Sequence, residues 1–372
     1  MLTILGLAIA AHLQGGLATW RLSPTPTLTI EDDGTPATEF AGVVAVARLS
    51  NGRVAVVNRG TTDIRIFDAR ARHIATFGRT GGGPGEFRRL EWVGRSGDTA
   101  WFHDSGLQRL TTVILGAEPV LAGVVRVTAT GGQAYSVTGR LPDGRWVVST
   151  RVSPTFDGPS GTHRLPGSIG IIPPDADGEV TWLGDFNSAA IFVHNPTGNL
   201  ANAAVGPIAF PPWLRSATGD GLIWIGDSGG DSLIAVRARD RTRFTIRLPI
   251  ASRAPGRELV TAAREQELAS NRSPQGRGFV EAKFSERYLP ERLPYFEALL
   301  AGPGGELWVQ EYAGDRALPT RYLVLDSTGR PRARVAVTGG DRIREVGRDY
   351  VLVVREDADG VESVRLHRLD RR

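Results

Sequence analysis

Short apolar runs alternate along the chain with turns carrying glycine and aspartate, and one pattern returns six times. A turn glycine precedes a run rich in β-branched and aromatic residues: Gly52 before Val54–Val57, Gly97 before Thr99–Phe102, Gly144 before Trp146–Val148, Gly221 before Leu222–Ile225, Gly305 before Leu307–Val309 and, more weakly, Gly347 before Tyr350–Val354. The steps between these glycines are 45, 47, 77, 84 and 42 residues. One four-stranded propeller blade takes about 40–50 residues. Three steps therefore match a blade, and two match a blade plus an insertion. A second signal has constant spacing: Asn58, Asp104 and Asp227 are each followed by a glycine turn, and an apolar residue (Ile64, Leu110, Leu233) resumes six positions on. Period-two alternation after it, as in Ile64 and Ile66, marks strands.

These signals place blades at Phe40–Phe77, Leu90–Val127, Ala134–Leu183 (with an insertion), Trp213–Leu248, Tyr295–Val337 and Arg342–Leu369. The last has room for three strands, and Trp20–Ile30 is expected to supply the fourth, which removes an exposed sheet edge. The expected fold is all-β, a six-bladed β-propeller over residues 19–372 whose N-terminal strand closes the last blade. A helix-containing insertion, 252–294, is expected between blades four and five. Within it Arg257–Ser270 has a helical period after Pro255-Gly256, and a second helical stretch is expected at Val280–Tyr288.

The junction Phe77-Gly78-Arg79-Thr80-Gly81-Gly82-Gly83-Pro84-Gly85-Glu86-Phe87 resembles the inter-blade signature of NHL-type six-bladed propellers, and the Asp-Ser-Gly copies at 104 and 227 resemble the loop after their second strand. From Trp20 to Leu369 the chain resembles secreted bacterial six-bladed propellers of the NHL and TolB-like groups. That resemblance implies a fold and leaves the chemistry open, because those groups include binding modules, lactonases and lyases. The glycine cluster lacks the Gly-Lys-Ser/Thr of a phosphate loop and reads as a blade-connecting turn.

Of 372 residues, 41% are hydrophobic and 23% charged, which excludes wholesale disorder. The absence of cysteine excludes disulfides, thiolate nucleophiles, zinc fingers and iron–sulfur clusters. Lys+Arg exceed Asp+Glu by 44 to 40, and Lys283 is the single lysine. The densest basic spot, Arg237, Arg239, Arg241 and Arg243, alternates and reads as the solvated face of a strand. Without a basic stripe interleaved with aromatics, no nucleic-acid partner is expected. Leu2–Ala11 is an apolar run too short for a bilayer span of ~20 residues. Followed by Gly16-Leu17-Ala18, it reads as a signal peptide over 1–18, giving a secreted or periplasmic protein with no transmembrane segment in the mature chain.

None of the six histidines, His12, His73, His103, His163, His194 and His367, is paired at metal or catalytic spacing. Asn58, Asp104, Asp227, Glu311 and Glu356 follow second strands on one face of a ring. Converging oxygens of this kind suit a hard cation such as calcium, which six-bladed lactonases hold in such a ring. The alternative is that they cap turns, and recurrence at constant spacing favours it. No cofactor is expected on that reading. Trp101, Trp146, Trp224 and Trp308 fall in the repeat and read as packing residues, whereas Trp182 and Trp213 flank an insertion and are candidate ligand contacts. The extra residues lie in Arg151–Pro166, Asp185–Pro212, Ser252–Pro294 and Tyr312–Pro319, each a second-to-third or an inter-blade loop. Both types emerge on the same face, where loops on a rigid scaffold carry binding residues. The expected function is a binding or scaffold protein for a protein or glycan ligand at that face; the alternative is a calcium-dependent lactonase or lyase.

Overall fold

The computed structural model describes residues 16–127, 135–150, 160–198, 203–315 and 317–372. Three short strands come first: β1 (Ala18–Thr19), β2 (Arg21–Leu22) and β3 (Leu28–Ile30). Six antiparallel sheets follow. Sheet one holds β4 (Val43–Arg48), β5 (Val54–Asn58), β6 (Asp63–Phe67) and β7 (His73–Phe77). Sheet two holds β8 (Leu90–Ser96), β9 (Thr99–Asp104), β10 (Arg109–Ile114) and β11 (Val120–Arg126). Sheet three has five strands, β12 (Tyr135–Arg140), β13 (Trp146–Thr150), β14 (Gly161–Ile172), β15 (Thr181–His194) and β16 (Ala204–Pro207). Sheet four holds β17 (Leu214–Gly219), β18 (Leu222–Asp227), β19 (Ser232–Arg237) and β20 (Arg243–Arg247). Two helices, α1 (Arg257–Ser270) and α2 (Pro274–Lys283), precede sheet five, β21 (Phe296–Ala301), β22 (Leu307–Glu311), β23 (Thr320–Leu325) and β24 (Pro331–Val337). Sheet six is β25 (Asp341–Val346), β26 (Tyr350–Glu356) and β27 (Glu362–Asp370), joined by the N-terminal strands.

The first strand of each sheet contacts the first strand of the next in the cyclic order β4, β8, β12, β17, β21, β25 and back to β4. The cores repeat that order. Separate apolar clusters fill the spaces between sheets one and two, two and three, three and four, four and five, five and six, and six and one. Each sheet thus buries both faces, which is why the second strands are apolar through their centres and carry polar residues towards their ends. The repeat tryptophans Trp101, Trp146, Trp224 and Trp308 are all buried in these interfaces.

The ring closes through the N-terminus. β3 pairs antiparallel with β27 (Ile30 opposite Val364), β2 extends that pairing (Leu22 opposite Leu369), and β1 runs parallel to β24. Trp20 inserts between sheets five and six, 6.0 Å from Trp308. Residues 1–15 of the expected signal peptide lie outside the described residues, and Ala18 pairs with Ala333. Among the described residues no helix is long and apolar enough to cross a membrane.

Three local expectations are corrected. Sheet three does not end at Leu183: β14 and β15 run on as a hairpin through Gly161 and Val193, so 161–166 and most of 185–207 are strand. Their polar–apolar alternation was masked by the glycines and prolines within it. The second helix lies at Pro274–Lys283, because Ser273 accepts the N–H of Gly276 at its start and Pro274 occupies the first turn. Arg239 and Arg241 stand in the β19–β20 hairpin turn, where Arg241 has φ 59°, so the four arginines do not share a strand face.

Candidate functional site

β13 pairs with β14 only as far as Ser149 opposite Ile169. Beyond that point β14 and β15 pair with each other, joined by β16 along Ile191–His194, and form a ribbon that projects past the sheet. The helical insertion packs against this ribbon: Phe192 of β15 lies 5.5 Å from the Phe279 ring and 4.8 Å from Tyr288. Ala209 and Phe210 join Val280, Phe284 and Leu293 in an apolar cluster of their own, with Leu259 and Tyr312 at its border. Ribbon, helices and the 312–319 loop therefore make one cap with a satellite core. Lys283, the single lysine, fastens it: the ammonium is buried 2.5 Å from Glu267 of α1 and lies 5.4 and 5.3 Å from the Phe279 and Phe284 rings. The insertion enters and leaves at one point, where Leu293 N–H donates to Arg253 O (2.9 Å) and Ser252 Oγ–H to Leu293 O (2.6 Å).

Between ribbon and insertion lies a cleft of about 330 Å³, within the range of small-ligand sites. Ala190, Ile208 and Tyr288 give it apolar walls, and Arg164, Arg287 and Arg292 outnumber Glu291 around it. Arg164 pairs with Asp227 at 2.9 Å, and Arg287 lies 5.2 Å over the Tyr288 ring. Sequence reasoning missed these arginines. For Arg287 and Arg292 the signal was there in Glu286–Pro294, where two arginines and two prolines surround Tyr288 inside an inserted loop.

The candidate metal residues go to separate places. Asp104 is wholly buried: Oδ1 accepts the N–H groups of Gly106 (2.9 Å), Leu107 (2.9 Å) and Arg89 (3.2 Å), and Oδ2 that of Arg88 (2.7 Å). It caps its own turn and ties that turn to the inter-sheet junction. Asp227 caps its turn through Gly229 N–H (2.9 Å) and also takes Arg164. Asn58 does neither; its Nδ2 donates to Asp63 Oδ1 (3.1 Å), the acceptor that also holds Arg65. Glu311 pairs with Arg334. Among the described residues, no three of histidine, aspartate or glutamate come together as a metal set. Of the two tryptophans, Trp213 exchanges hydrogen bonds with Ser228 (2.8 and 3.0 Å) next to Pro212 of the cleft. Trp182 is 42% exposed and lies 5.9 Å from the Tyr135 ring, away from the cleft.

Replacing Asp104 by alanine leaves four amide donors without their acceptor, so Asp104→Ala is expected to cost about 3 kcal/mol. Asp104→Asn should fall between. Urea unfolding midpoints measure both, and a loss under about 0.5 kcal/mol would mean that water replaces the carboxylate.

A closed ring of four- and five-stranded antiparallel sheets, joined through their first strands, decides the architecture. It is a β-propeller. No protein-family profile matches the chain, and neither does any curated protein. Among solved structures, the propeller is similar to a member of the DUF4221 family from Bacteroides vulgatus, with a TM-score of 0.53 at 11% identity over 95% of this chain and 99% of that one. It also matches a Bacteroides fragilis protein designated as exported (TM-score 0.49, 10% identity, 94% and 95% covered) and virginiamycin B lyase from Staphylococcus aureus (TM-score 0.44, 11% identity, 94% and 99% covered). At such identities the likeness concerns the fold alone.

Proposed function

We propose that the chain is an exported six-bladed propeller of the NHL or TolB-like kind, and that it works as a binding or scaffold protein holding a protein or glycan ligand at its capped face. The observation that carries this reading is the convergence of the sheet-three ribbon, the α1–α2 insertion and the 312–319 loop on one cap with a cleft between its parts. Loops raised on a rigid scaffold are where binding residues concentrate, and the excess of arginine in the cleft favours ligands with anionic groups. A calcium-dependent lactonase or lyase would need Asn58, Asp104, Asp227 and Glu311 to face a shared cation. Their separate partners favour capping and ion pairing instead. A melting temperature that rises with calcium and falls with chelator would reverse that choice.

The clamped ends of the insertion make a clean test. Joining Arg253 to Leu293 through two glycines in place of 254–292 is expected to leave the ring folded, as read by circular dichroism. Capture of partners from envelope extract and binding on a glycan array should fall at least tenfold. Undiminished binding by the shortened chain would overturn the proposal.

A further inference from the structure

A second cavity, of about 230 Å³, lies between sheets five and six. Glu297 and Arg342 reach it from the first strands of those sheets, and Gln310, Tyr312, Thr320 and Asp315 complete its polar wall. Asp315 is held at the rim, where its Oδ1 accepts the Ala317 N–H at 2.8 Å. None of these residues belongs to the cap cleft.

The wall is organised before any ligand arrives. Ile343 N–H donates to the buried Tyr322 hydroxyl at 2.9 Å, so the phenol's own proton is directed to Gln310 Oε1, 3.4 Å away. That leaves Gln310 Nε2 to donate to Glu297 Oε2 at 3.0 Å. The backbone beneath Glu297 is held as well, because Arg215 Nε donates to its carbonyl oxygen at 2.8 Å. Burial, then the nearby Glu297 charge, pushes the Tyr312 phenol up to about 12, so at neutral pH it is a hydroxyl donor. On the other wall Arg342 pairs opposite Val354 through its backbone strand, and its guanidinium makes no hydrogen bond or ion pair among the described residues. Its charge is felt by Arg344, whose guanidinium is pushed down by burial and then by Arg342.

The fixed Glu297 carboxylate, with Asp315 beside it in the lining, and an uncommitted guanidinium thus face one small polar cavity without pairing with each other. A single anion would meet Glu297, and a single cation would meet Arg342. A molecule carrying both charges satisfies both walls. At ~30 Å³ per water, the volume equals roughly eight waters, about the size of an amino acid. We propose that this cavity binds a small zwitterion of the α-amino-acid class, its ammonium on Glu297 and its carboxylate on Arg342, with Tyr312 and Thr320 as further hydrogen-bonding groups. This site is separate from the cap cleft and stands without the function proposed for it.

The test is calorimetric titration and thermal shift of the full chain with the twenty α-amino acids, and with glucose, succinate and putrescine. At least one amino acid should bind saturably and raise the melting temperature. Its N-acetyl and methyl-ester forms, each lacking one charge, should bind at least tenfold more weakly. Glu297→Gln and Arg342→Gln should each weaken the parent amino acid at least tenfold. In Glu297→Gln, the gap between the amino acid and its N-acetyl form should close. Should a variant fail to fold, the two blocked forms on the unaltered protein decide the matter. Failure of every amino acid to bind, stronger binding of glucose or succinate, or equal binding of the blocked forms would each overturn the proposal.

Discussion

A chain shortened to begin at Glu31 is expected to lose the ring. The deleted segment buries Trp20 (7% exposed) between sheets five and six and Ile30 (1% exposed) between sheets six and one, with Leu22 and Leu28 packed beside them. Two buried side chains at about 1.5–3 kcal/mol each and two half-buried leucines at about half of that amount to roughly 4–9 kcal/mol, comparable with the whole stability of a typical domain, about 5–15 kcal/mol. The loss is also structural. β27 would keep β26 on one side and expose its other edge, where Thr27 N–H now donates to Leu366 O (2.7 Å) and Ser23 N–H to Arg368 O (2.9 Å). An unpaired edge on an opened ring is a template for aggregation. Circular dichroism and size-exclusion chromatography should show an unfolded or aggregated product. A monomer with the parental melting temperature would show that β26 and β27 close the ring unaided.

Glu345→Ala is expected to cost about 2–3 kcal/mol, less than the ~3–5 kcal/mol for breaking a fully buried ion pair from one side, because the Arg95 and Glu345 side chains keep 23% and 15% of their exposure. Glu345 joins three sheets. Its Oε2 accepts from Arg95 Nε (3.0 Å); its Oε1 accepts from Arg95 Nη2 (3.1 Å), the Arg48 N–H (3.0 Å) and the Tyr350 hydroxyl (2.7 Å). Arg95 comes from sheet two, Arg48 from sheet one, and Glu345 and Tyr350 from sheet six. Burial pushes the Arg95 guanidinium down, yet the bond and charge of Glu345 hold it above its ordinary value. Without the carboxylate, a desolvated cation and a desolvated N–H lose their acceptor together. Glu345→Gln retains one acceptor oxygen and should cost less than the alanine. Urea unfolding gives both values, and a loss below about 1 kcal/mol for the alanine would place this pair among solvent-screened surface contacts.

What could be read from the chain differed by the range of the interaction. Asp104 and Asp227 were legible as turn caps because an aspartate takes N–H groups two and three residues ahead of it. Asn58 followed the same spacing but bonds across to Asp63 on the next strand. The helix Arg257–Ser270 was legible from its period, whereas the start of α2 depended on the Ser273-Pro274 pair, a signal two residues long. The ribbon of sheet three was misread because Gly167, Gly170 and Pro166 look like loop residues. They are tolerated where β14 pairs with β15 through two register shifts.

Local periodicity by itself determined the strand repeat and the glycine turns between strands, since each depends on residues within one hairpin; the closing segment was legible only as what the count of strands left over, and its pairing with β27 spans more than 330 positions. Only the tertiary structure decided which charges meet. Glu345 and Arg95 are 250 positions apart, Arg164 and Asp227 are 63 apart, and Glu297 and Arg342 belong to different sheets. Closing the ring carries these residues together. A side chain's neighbours across a sheet interface depend on how every intervening strand is placed, and no spacing along the chain encodes that.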